Sequence, residues 1–205
     1  MISPRASSSL VKFRLSRLAR ALFSLAVCAS AGLLARPTHA EDFRKPTAEE
    51  LSMTSLPGYP GAPAVILFRE EITKDDLHSV LHYDRLKILT EEGKKYANVE
   101  LGYVSITGGN GGFGSDMTLE DITGRTIHPD GTIIPFTGKP YLKVLEKANG
   151  YKVQQKVFTL PDVEVGSIIE YRYYTRIDDH FFGQPQWLIQ DDLYVKEAHF
   201  LWFPT

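Results

Sequence analysis

The stretch Phe158–Ile177, FTLPDVEVGSIIEYRYYTRI, constrains the fold of this chain more than any other. From Ser167 it alternates with period two. Ile169, Tyr171, Tyr173, Thr175 and Ile177 share one face, and Ile168, Glu170, Arg172, Tyr174 and Arg176 share the other. That pattern suits a strand with one face on a core and one toward water. Its β-branched and aromatic residues fit a pleated, half-buried surface. At about 3.3 Å per residue the eleven residues from Ser167 span roughly 36 Å, enough to cross a whole sheet. The preceding LPDVEVG, between Pro161 and Gly166, reads as a turn. The expectation is a central strand on which others are laid.

The N-terminus obeys different chemistry. Residues 1–40 hold Arg5, Lys12, Arg14, Arg17, Arg20 and Arg36 and no acid, a charge of +6. The whole chain is −2, so residues 41–205 carry −8. The basic region is followed by the apolar run Ala21–Ala35 and then by Thr38-His39-Ala40, with small residues at −3 and −1. This is the order of a secretory leader, with cleavage expected after Ala40. Fifteen apolar residues fall short of the roughly 20 that span a bilayer, which disfavours an uncleaved anchor. A lipobox reading of Leu25-Ala26-Val27-Cys28 is weakened by the bulk of Val27. The expected location is the periplasm or cell envelope, with no stable membrane span after cleavage.

Cys28 is the sole cysteine and would leave with the leader. The remaining chain then has no disulfide, thiolate metal site or cysteine nucleophile. Its length suits one domain with its own core. A charge of −8 argues against nucleic acid, whose binding rests on Lys and Arg contacts to phosphate.

Residues 41–63 read as a polar and Pro/Gly-rich connector, with a short helix from Ala48 capped by Thr47 and Glu50. Strands follow at 64–72, 79–90, 96–106, 117–127, 132–136, 141–146, 151–159, 167–177, 186–190 and 193–202. Glu91-Glu92-Gly93, His128-Pro129-Asp130-Gly131 and Asn149-Gly150 read as hairpin turns. The expected fold is all-β, a two-sheet antiparallel β-sandwich of 8–10 strands over residues 64–205. The apolar run Phe200–Phe203 so near the last residue reads as the front part of something longer.

Chemistry-bearing patterns are sparse. Gly109–Gly114 satisfies G-x-G-x-x-G, but strand rather than helix follows, so a loop is expected and not a nucleotide site. Asp75, Asp76, His78 and His82 have metal-ligand types, yet strand spacing separates the two histidines by about 13 Å. No G-x-S-x-G elbow occurs, and no spacing pairs the many carboxylates. Trp187 and Trp202 are expected in the core rather than on a sugar-stacking platform. No cofactor is expected. The candidate contacts with a partner or ligand are Glu170, Arg172 and Arg176 on the polar face of the long strand, and Asp178, Asp179 and His180 just beyond it.

Several phrases together resemble one family. They are Leu86-Lys87-Ile88-Leu89 with Glu92-Gly93-Lys94; Arg125-Thr126-Ile127 with Pro129-Asp130-Gly131-Thr132; and Phe158-x-Leu160-Pro161 followed by Gly166-Ser167-Ile168-Ile169-Glu170-Tyr171-x-Tyr173. The chain from about Ala64 resembles DUF3857, a domain of exported bacterial proteins found ahead of transglutaminase-like domains. The resemblance implies a β-sandwich beside a papain-like domain with a Cys-His-Asp triad, none of which lies in these residues. It implies a non-catalytic domain that flanks or positions that catalytic partner. The alternatives are a stand-alone peptide- or glycan-binding module and, less favoured, a hydrolase using carboxylates and histidine.

Overall fold

The computed structural model describes residues 43–106, 115–178 and 185–205. The leader with Ala40, the loop Gly109–Gly114, and Asp179 and His180 lie outside the described residues. Residues Arg44–Thr205 form one compact unit.

Helix α1, Ala48–Ser52, opens on the expected capping box, with Thr47 accepting from the Glu50 amide and Glu50 from the Thr47 amide. Among the described residues nine strands follow: β1 Ala64–Lys74, β2 Ser79–Ile88, β3 Asn98–Ile106, β4 Ser115–Ile127, β5 Ile133–Pro135, β6 Tyr141–Ala148, β7 Tyr151–Thr159, β8 Ile168–Ile177 and β9 Ala198–Phe203. They join in the order β6-β7-β3-β4-β8-β2-β1-β9, with β5 on β4. The all-β expectation holds, but the two layers are two arms of one sheet. Among the described residues, the arms meet where β3 pairs with β4 at Ser105↔Asp116 and Ile106↔Ser115. Buried Val99 and Leu101 of β3 and Phe158 of β7 share a core with Ile66, Leu86 and Ile169 of the other arm. The sheet therefore folds back over its own core. One pairing is parallel: β9 runs alongside β1 from Arg69↔Ala198 to Lys74↔Phe203.

Strand β8 is central, flanked by β2 and β4 over most of its length. The Asn149-Gly150 turn closes the β6–β7 hairpin with both residues at positive φ, 42° and 87°, as a two-residue turn of that type requires. Two expectations fail. Strands β2 and β3 do not form a hairpin; β2 pairs with β1 and β8, and β3 with β7 and β4. The six-residue 3₁₀ turn Glu92–Ala97 carries the chain from one arm to the other instead. Residues 186–190 are not a strand, and 193–197 precede β9 rather than belong to it.

Candidate functional site

The polar residues of β2 and β8 meet on the side of the sheet covered by residues 44–53. Glu170 is fully buried. One carboxylate oxygen accepts from Arg125 Nε, and the other accepts from Arg85 Nη1 and the Tyr83 hydroxyl. Arg85, also fully buried, donates to Glu50 from Nε at 3.2 Å and from Nη2 at 3.1 Å, and from Nη1 to the Arg44 carbonyl at 3.2 Å. Arg125 Nη2 donates to that same carbonyl at 2.9 Å. Burial would raise the Glu50 carboxyl, but hydrogen bonds from Arg85 and Thr47 hold it below its ordinary value. Two residues along β2, buried Lys87 donates to the carbonyls of Leu51 at 2.9 Å and Gly166 at 2.5 Å, and burial lowers its ammonium.

Glu170 is therefore not the surface contact residue that alternation predicts. The face is dry because α1 and its flanks cover it, with Leu51 and Met53 packed on Val65, Ile127 and Ile168. Arg172 and Arg176 are half-buried and lie on either side of the Tyr174 ring, 5.9 and 5.5 Å from its centroid. Arg176 Nε also donates to Glu120 at 3.3 Å. Asp178 accepts from the Asp116 amide at 3.0 Å, tying the end of β8 to the start of β4. The structure brings Arg172 and Arg176 together and leaves Glu170 apart from them.

The opposite face of the sheet holds the second polar region. Arg69 donates to Asp84 at 2.7 Å and to Asp191 at 3.2 Å, and the Tyr171 hydroxyl donates to Asp84 at 3.2 Å. Beyond this layer a cavity of about 340 Å³ opens between the arms. Glu71, His82, Tyr103, Tyr173, Thr175 and Trp187 line it. The His82 ring stacks on Tyr173 at 4.6 Å, and its Nε2 lies 3.1 Å from the Thr175 hydroxyl. Burial, with the nearby Arg69 charge, pushes the His82 imidazole down to about 4. At neutral pH it is uncharged, so its 3.9 Å approach to Glu71 is not an ion pair. Burial and the Asp84 charge raise the Glu71 carboxyl.

The metal-type residues are dispersed. Asp75 and Asp76 sit in a 3₁₀ turn and His78 caps it at positive φ, whereas His82 lies within β2. Asp75 is engaged by the Trp202 indole at 3.0 and 3.1 Å. Among the described residues no group of three or more potential ligands could hold a metal ion. Trp187 and Trp202 are not core; they are 39% and 42% exposed, and Trp187 stacks on Phe200 at 5.4 Å. Among the described residues no helix is long and apolar enough to cross a membrane.

Sequence reasoning missed Tyr83, Arg85 and Lys87. Their alternation along β2 looks like a solvent face, and nothing in their spacing reveals the cover supplied by residues 44–53.

No curated protein matches the chain. Among solved structures it is similar to a crystal structure described as a candidate protease from Parabacteroides distasonis. The identity is 17% and the TM-score 0.41, over 56% of this chain and 23% of that one. The chain thus spans less than a quarter of that protein's length. The model of the family described as a domain of unknown function with a solved structure, DUF3857, matches residues 74–200. That match covers more than half of the chain and takes in β2 through β8, with Glu170, Arg85, Arg125 and Tyr83 of the buried network and His82, Tyr103, Tyr173 and Thr175 of the cavity; the chain belongs to the DUF3857 family.

Proposed function

We propose that the chain is an exported, non-catalytic β domain that flanks or positions a transglutaminase-like catalytic domain with its own Cys-His-Asp triad. One observation supports this above the others. The densest set of charged groups, Glu170 with Arg85, Arg125, Glu50 and Tyr83, is paired internally and covered. A general acid, base or nucleophile must reach a substrate. These groups reach one another instead and lock the centre of the sheet to residues 44–53. The export part of the proposal rests on the composition of residues 1–40. The test is an acyl-transfer assay of the purified chain, with a glutamine peptide and a primary amine. The expected result is no product above a protein-free blank. Turnover that disappears in His82→Ala would overturn the proposal.

A further inference from the structure

The cavity between the arms plays no part in that architectural role. At about 340 Å³ it lies near the small end of the roughly 300–1,000 Å³ found for small-molecule sites. We infer that it binds an uncharged sugar residue, held by hydrogen bonds to His82 and Glu71 and by ring faces of Tyr103, Tyr173 and Trp187.

The lining decides the charge of the ligand. Among the described residues no lysine or arginine lines the cavity, so an anion meets no counter-charge from them. A cation is equally disfavoured. Burial and Arg69 keep a proton off His82 until the pH nears 4, even with the Glu71 carboxyl 3.9 Å away. Surroundings that reject a charged imidazole reject an ammonium for the same reason. A neutral ligand with many hydroxyls remains.

The geometry agrees. His82 Nε2 is committed to Thr175. Its Nδ1 faces Glu71 Oε1 across 3.9 Å, beyond hydrogen-bond reach. A hydroxyl both donates and accepts, so it bridges the two whichever of them carries a proton. Aromatic faces serve the C–H surface of a sugar ring while its hydroxyls bond to the polar wall. A peptide is the weaker fit. Extended peptides bind by adding a strand to a free sheet edge. Strands β1, β2 and β8, which floor the cavity, are each paired on both sides. Recognition there must come from side chains.

The inference is independent of the accessory role, since the cavity needs no catalytic neighbour. The test is a fluorescence titration of the chain carrying Trp202→Phe, which leaves Trp187 as the single tryptophan. The probes are N-acetylglucosamine trisaccharide, maltotriose and tri-alanine. The expected result is a saturable change with at least one sugar at a Kd of about 1 mM, and none with tri-alanine. Glu71→Gln and Thr175→Val should each weaken it by about tenfold. Glu71→Gln is isosteric and keeps the test decisive should Thr175→Val fail to fold. No saturable response to either sugar, a response to tri-alanine alone, or a sugar response unchanged in Glu71→Gln overturns the inference.

Discussion

Buried Glu170 bridges two arginines with one carboxylate, and Glu50 supplies the second negative charge. Removing one partner of a buried ion pair strands the other, which costs about 3–5 kcal/mol. Glu170→Gln is therefore expected to lower stability by that order, read as a fall in the urea midpoint at unchanged slope. Gly93 sets a second constraint of this size. A Cβ there would sit 2.0 Å from the Pro63 carbonyl oxygen, which already accepts from the Leu89 and Thr90 amides. Backbone cannot yield as a flexible side chain does, so Gly93→Ala is expected to destabilise by about 1–3 kcal/mol in the same assay. Gly93 was visible in sequence as a turn residue, but its reason was not. Its φ is not positive; the close approach of Pro63, thirty residues earlier, requires it. Lys87, Arg125 and Glu170 each fall within a phrase that carried the family resemblance. Their shared role in bracing the dry side of the sheet emerges only when β2, β4 and β8 lie side by side.

Strand β2 bears different chemistry on its two sides, and pH separates them. On the cavity side, the folded chain holds His82 neutral down to about 4, whereas the unfolded chain takes up a proton near 6.5. Between those values the unfolded state binds more protons, so stability falls as pH drops. The loss attributable to His82 is at most about 3 kcal/mol, and the raised Glu71 carboxyl opposes part of it. Urea midpoints at pH 7 and 4.5 should differ less in His82→Gln than in the parent chain. On the covered side, the lowered Glu50 carboxyl stabilises the fold above 4.5, and that share is lost as pH falls through its folded value. Individual strands were legible from period two alone, and β8 as the central one. Partners were less so. The β2–β3 hairpin failed because a six-residue 3₁₀ turn reads like a loop in sequence, yet it redirects the chain between arms. The face of β8 was misread at Glu170, since period two separates two faces but does not say which of them another segment covers.

Across the whole molecule, the two arms differ in how firmly they are held. Strands β8 and β2 are paired on both sides and bury both faces near Ile168, Ile169 and Ile88. Strand β6 is an edge whose residues Tyr141 to Lys147 are exposed. Amides of β6 are therefore expected to exchange with deuterium through local opening, well before those of β2 and β8, whose exchange should follow global unfolding. All-β architecture was plain from the spacing of short strands and turns. The continuity of the sheet was not, because among the described residues it runs through the pairing of β3 with β4 at one corner. The charge network at the sheet's centre also imposes an order in time. Glu50 leaves the ribosome before Arg85, and Arg125 before Glu170, so an early acid is waiting when the first arginine arrives. Both guanidinium groups reach their shared acid only once residue 170 exists. A nascent chain cut short of β8 thus has no stable way to dry the middle of its sheet.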